Sequence, residues 1–143
     1  MRIVVFAPAA HDLEDGLAAL GPDADITVVS TLAVPPDRVS RVAVGASPFW
    51  SRLSEFTRRT PPGRVLRRLT PLDPGVLFAR RVRRSATAQA AVASADLLVS
   101  IERDAQFAVW TEARRRSRRG SAVAAVVGLP AAHAAVRRLS VGS

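Results

Sequence analysis

The residues best able to do chemistry in this chain sit in four short polar segments. The densest is Ser100-Ile101-Glu102-Arg103-Asp104, where two carboxylates and a guanidinium fall within five residues. Glu102 and Asp104 could accept a sugar or ribose hydroxyl, and Arg103 could grip an anion. The plainer reading makes Asp104 the N-cap of a following helix and leaves Glu102 and Arg103 as solvated loop residues. The second segment, residues 8–12 (PAAHD), offers His11 and Asp12. A neutral His11 suits a general base or a group that orients a hydroxyl; otherwise it is a helix-start histidine with one exposed edge. Ser30-Thr31 and residues 45–47, ending in Ser47, complete the set. His11 and Glu102 are the catalytic candidates. Asp12, Ser47, Ser100, Arg103 and Asp104 are the candidate substrate contacts.

Several chemistries find no support. There is no cysteine, which removes disulfides, thiolate metal sites and a cysteine nucleophile. The two histidines, His11 and His133, are far apart in sequence, so no metal site is expected. His133 reads as a surface or helix-packing residue of an Ala-rich helix. Neither GxGxxG nor a P-loop pattern occurs, which argues against a tight phosphate cradle after the first strand and against a bound cofactor. No Ser-His-Asp arrangement has an interpretable spacing. No apolar run reaches the 18 or so residues of a membrane span, so the expected location is the cytoplasm, or the periphery of the inner membrane face.

The charge is informative through its placement. All 21 basic residues are arginine, which fits either bidentate anion recognition or a coding bias toward Arg, Ala, Val, Pro and Gly. Residues 1–50 carry a net charge of −3, residues 51–84 a net +8 and residues 85–143 a net +4. A second cluster comprises Arg114, Arg115, Arg116, Arg118 and Arg119. Such fields attract phosphates, nucleic acid or an anionic bilayer without distinguishing them. Trp50, Leu53 and Phe56 share one helical side flanked by Arg52, Arg58 and Arg59. The next long helix presents Arg80, Arg81, Arg83 and Arg84. That combination either packs on the core or meets an anionic membrane surface. Trp50 and Trp110 are expected to be core or packing residues rather than stacking platforms.

The elements that must position these residues follow from hydrophobic pattern. The 143-residue chain is 48% hydrophobic, enough for one domain with one core. Residues 2–7 form an apolar run ending at Pro8, as in a strand covered on both faces. A helix over 11–20, a strand over 25–32 and a weaker strand over 39–45 follow. Helices are expected over 47–59 and, briefly, 64–69. Asp73-Pro74 supplies an N-cap and a first-turn proline for a long helix to about residue 93. A strand over 95–101, a helix over 104–116 carrying Phe107, Trp110 and Ala113, a strand over 121–127 and a helix over 129–139 close the chain. Strands alternating with helices give an α/β domain: one doubly wound, mostly parallel, Rossmann-like sheet with helices on both faces.

The opening RIVVFAP and the stretch SADLLVSIERDAQFAVWTEARRRSRRGSAVAAVVGLPAA resemble the N-terminal Rossmann-like half of bacterial GT-B glycosyltransferases. The resemblance implies that this half receives the acceptor while another half holds the nucleotide-sugar. It also implies a basic surface with amphipathic helices that can touch anionic lipid. The acidic donor-binding motif of the other half has no counterpart in these 143 residues, so sugar transfer is expected to need a partner domain or subunit. The alternative is a non-enzymatic basic module for an anionic membrane, an acidic protein or, behind these, nucleic acid.

Overall fold

The computed structural model describes residues 1–9, 13–21, 23–31, 39–45 and 73–141. His11, Asp12, Ser47, the Trp50-Leu53-Phe56 side and the helices expected over 47–59 and 64–69 lie outside the described residues.

Five strands form one parallel sheet among the described residues: β1 (Arg2–Phe6), β2 (Asp25–Ser30), β3 (Ser40–Ala43), β4 (Leu97–Ser100) and β5 (Ala124–Val127). Their order is β3-β2-β1-β4-β5. β1 pairs with β2 from Arg2↔Asp25 to Phe6↔Val29, and with β4 from Ile3↔Leu97 to Phe6↔Ser100. The helices are α1 (Glu14–Ala18), α2 (Pro74–Arg84), α3 (Ala86–Ser94), α4 (Arg103–Arg118) and α5 (Leu129–Val141).

Strand alternation divides the core into two halves. Val4, Phe6, Val29 and Leu98 point to one face and pack under α2, α3 and α4 through Phe78, Val82, Val92 and Ala105. Ile3, Val5, Val28 and Val99 point to the other face, toward Leu17 of α1 and Ala132 and Ala135 of α5. The expected α/β sandwich with helices on both faces is the observed one. At its centre the Phe6 and Phe78 rings meet edge to face, with centroids 6.3 Å apart. Such a pair adds about 0.5–1.5 kcal/mol beyond area burial.

Three differences from the sequence expectation have physical causes. The long helix expected over 73–93 is two helices. Ser85 is extended (φ −83, ψ 111), and its Oγ accepts the Ala88 N–H at 3.2 Å, capping α3. A serine cap competes with helix continuation where Arg81, Arg83 and Arg84 crowd the preceding turn. The strand over 121–127 starts later, at Ala124, and is mostly exposed rather than covered on both faces, with Val127 at 56%. It is an edge strand of small side chains. Finally, α4 runs to Arg118 and closes with Gly120 at φ +76, where Gly120 N–H donates to Ser117 and Ser121 N–H to Arg116. That is a Schellman ending, and glycine takes the left-handed position without steric cost.

Arg116 separates from the basic cluster in which sequence places it. Its guanidinium donates to the carbonyls of Val92 (2.8 Å) and Ala95 (2.6 Å) and to Ser121 Oγ (3.0 Å). It thereby satisfies the last carbonyls of α3 and holds the approach to β5. Nearby, the buried Glu112 accepts from Gln89 Nε2 at 3.2 Å and faces Arg115 at 3.4 Å, while the same Gln89 nitrogen donates to Val82 O. These contacts lock α2, α3 and α4 together.

Charged hydrogen bonds of this kind contribute about 1.5–3 kcal/mol each. Arg116→Ala is therefore expected to lower the unfolding free energy by roughly 2–4 kcal/mol in urea titration. Arg114→Ala, on the open side of the same helix, is expected to stay within about 0.5 kcal/mol of the parent. Equal losses from the two substitutions would contradict the assignment.

Candidate functional site

The strand order reverses between β1 and β4: the chain leaves β1 toward β2 and β3, then crosses back to β4 and β5. In open α/β sheets the crevice beyond the carboxyl ends at this point is where ligands bind. Here its rim is Ala7-Pro8-Ala9 after β1 and Ile101-Glu102 after β4. Glu102 spans the gap, its Oε1 and Oε2 accepting the Ala9 N–H at 3.0 and 3.3 Å. The Thr31 hydroxyl donates to Pro8 O at 2.6 Å and ties the end of β2 into the same rim. Ser100 ends β4 with no exposed surface, and its Oγ has no hydrogen-bond partner among the described residues.

Two helix starts close over this rim. Asp73 Oδ1 accepts the N–H groups of Gly75 (2.8 Å) and Val76 (3.3 Å), the cap that Asp73-Pro74 announces. Gly75 is then set against the first turn of α4: a Cβ there would lie 3.0 Å from Asp104 O and 3.1 Å from Asp73 Oδ1. Glycine is what lets the two helices approach. Glu102 occupies the N-cap position of α4 but makes no capping bond, because its carboxylate is turned to Ala9. Asp104 lies in the first turn, partly exposed, and is not the cap that the plainer sequence reading gives it. Arg103 is exposed.

The structure thus puts the Glu102 carboxylate on the rim, buries Ser100 beneath it at the end of β4, and leaves Arg103 exposed and Asp104 partly exposed in the first turn of α4. Sequence reasoning singled out Thr31 but not its tie to Pro8 O, and it missed the Ala9 N–H and Gly75. The Ala9–Glu102 contact joins residues 93 apart, and no local signal encodes it. An ionised carboxylate accepts about four hydrogen bonds, so Glu102 retains capacity for a ligand hydroxyl after binding Ala9. Among the described residues no group of three or more His, Asp or Glu is placed to hold a metal ion. No helix among them is long and apolar enough to cross a membrane.

A second concentration of function-bearing side chains lies on the outer face of α4. Trp110 is 54% exposed and Phe107 43%, which corrects the expectation that Trp110 packs in the core. The residues that α4 buries are Ala105, Ala108, Val109 and Glu112, a narrower stripe of mostly small side chains. Close packing of α4 on the sheet and on α2 selects these and leaves the large rings outside. The Trp110 and Phe107 rings are tilted by 32° with centroids 6.1 Å apart, and the Arg114 guanidinium lies 5.1 Å from the Trp110 ring centre. A cleft of about 460 Å³ opens here between Arg83, Trp110, Arg114, Arg115, Arg118 and Arg119. Of the α2 arginines, Arg80, Arg83 and Arg84 are exposed, while Arg81 is half-buried and desolvation lowers its pKa from the ordinary arginine value. Only Arg83 of that group lines the cleft.

Comparison with known protein families, with curated proteins and with solved structures finds no match to the chain.

The close approach at Gly75 is directly testable. Gly75→Ala is expected to cost roughly 1–3 kcal/mol in thermal or urea unfolding, because the added methyl group must displace backbone rather than a flexible side-chain tip. Asp73→Ala is expected to cost about 1 kcal/mol through the lost cap. A neutral or stabilising Gly75→Ala would show that the two helix starts are not in contact.

Proposed function

We propose that this protein is the acceptor-binding, Rossmann-like half of a GT-B-type glycosyltransferase system, with the nucleotide-sugar supplied by a partner domain or subunit. The observation that carries the reading is Glu102, a carboxylate held by Ala9 N–H at the switch point between β1 and β4. The rim chemistry supports a neutral, hydroxyl-rich ligand. Glu102, Asp104 and Asp73 are acceptors, and the Asp73 carboxylate already occupies the N–H groups at the start of α2. A free phosphate would meet like charge there, whereas a sugar hydroxyl would find acceptors.

In this reading Glu102 is the general base. It orients the acceptor hydroxyl and takes its proton as the new bond to the anomeric carbon forms and the nucleoside diphosphate departs into the partner half. Ser100, buried at the end of β4, would add a further hydroxyl to the site, and the exposed Arg103 would meet acidic groups of an acceptor or partner. His11, Asp12 and Ser47 remain proposed members of the same site. A purely binding role is favoured by a different observation, the arginine-lined cleft on α4.

Titration of the 143-residue protein with simple alkyl glycosides, followed by amide chemical shifts, tests the reading. Weak binding is expected, with dissociation constants on the order of 1 mM, perturbing Ala9, Ser100 and Glu102 first. Glu102→Ala should weaken it by roughly tenfold or more, the value of one charge-assisted hydrogen bond. The protein alone should not release nucleoside diphosphate from nucleotide-sugars. Turnover by the isolated chain, or glycoside binding indifferent to Glu102→Ala, would overturn it.

A further inference from the structure

The cleft on α4 carries more positive charge than the fold requires. Arg83, Arg118 and Arg119 lie at or just beyond helix C-termini, where cations answer the helix dipole. That dipole amounts to about half an elementary charge per helix end, so one cation at each end suffices. Arg116 is consumed by the carbonyls of Val92 and Ala95, and Arg115 faces Glu112. Among the described residues Arg83, Arg114, Arg118 and Arg119 have no carboxylate partner. Four guanidiniums that line one cleft with no carboxylate partner among the described residues repel, and a ligand carrying several negative charges relieves that repulsion.

The aromatic rings narrow the class of ligand. Trp110 and Phe107 stand exposed beside these guanidiniums rather than on an opposite apolar face, and Arg114 already covers one side of the Trp110 ring. A helix that lies in a bilayer separates its apolar and cationic faces; this one sets Phe107, Trp110, Arg114 and Arg118 on the same side. Rings and cations on one side suit a ligand that carries both flat π-faces and anions. Arg114 and Arg118, like Arg115 and Arg119, are one helical turn apart, about 6 Å along the axis, so the cations repeat along a track. A nucleic-acid duplex hides its base faces, whereas a single strand offers them.

We propose that this cleft binds single-stranded nucleic acid, with bases stacked on Trp110 and Phe107 and phosphates held by Arg83, Arg114, Arg118 and Arg119. Apart from Phe107, the site runs from the middle of α4 to its C-terminal end, beyond the helix start that meets the Glu102 rim, and it does not depend on the glycosyltransferase reading.

Fluorescence anisotropy of a labelled ten-nucleotide oligothymidylate with the full chain tests it, across a series of salt concentrations. Log affinity against log salt is expected to fall with a slope near −3, from about −0.7 for each of four phosphates neutralised. Arg118→Ala/Arg119→Ala should flatten that slope by about 1.4. Trp110→Ala should lower affinity roughly 5- to 150-fold with the slope unchanged, since stacking is lost and charge is not. Arg80→Ala/Arg84→Ala, outside the cleft, should leave the Trp110 dependence intact. Two outcomes would overturn the proposal. One is oligonucleotide affinity indifferent to Trp110→Ala and matched by a duplex of equal length, which marks a general polyanion effect. The other is Trp110-dependent binding to vesicles containing phosphatidylglycerol with none to the oligonucleotide, which marks a bilayer contact.

Discussion

β1 is hydrogen-bonded along both edges and covered on both faces, so Ile3, Val4, Val5 and Phe6 are all buried. No residue within such a strand can carry chemistry, because a polar side chain there would be desolvated without a partner. Chemistry is displaced to the strand's carboxyl end, where the chain escapes at Pro8. β2 and β4 flank it in parallel, and the reversal of strand order between β1 and β4 opens the crevice at that end. Glu102 closes the gap by accepting the Ala9 N–H, a donor that the end of the β1 ladder leaves over. The candidate site is thus a consequence of how the central strand ends.

The helical layer over α2, α3 and α4 follows from a second constraint, the small side chains that face inward. Ala79, Ala88, Ala105 and Ala108 let these helices approach closely, and Gly75 carries that approach to the rim. Tight packing leaves little interior room for long side chains. Phe107, Trp110 and most of the described arginines therefore occupy the outer surface, while Arg116 and Glu112 are kept inside only with hydrogen-bond partners. One helix consequently presents two chemistries: carboxylates at its start, and guanidiniums with aromatic rings farther along.

What the sequence made legible was the part governed by local pattern. The apolar run of β1, the β-branched β2 and the Asp73-Pro74 helix start all express backbone or burial rules that act over a few residues. The break at Ser85 was hidden because a serine in an Ala- and Arg-rich run looks compatible with helix until packing sets the direction of α3. Trp110 was misread because size suggested core, whereas the stripe Ala105, Ala108, Val109 and Glu112 is the buried one. Glu102 was singled out as a polar residue at a strand end. Its partner, a backbone amide at Ala9, has no side-chain identity to read. Likewise the exposed edge at β5 depends on which strand has a neighbour, which AAVV alone does not reveal.

Amide hydrogen exchange at Ala9, in the parent and in Glu102→Ala, tests most directly whether a carboxylate organises the crevice between β1 and β4. In the parent, the bond to Glu102 should slow exchange of this exposed-loop amide, and Glu102→Ala should accelerate it roughly 10- to 100-fold, the equivalent of one charged hydrogen bond. Val4, Val5 and Phe6, bonded within the sheet, should keep their protection in both proteins. Identical Ala9 exchange in the two proteins would contradict the account, since Glu102 would then hold nothing at the switch point.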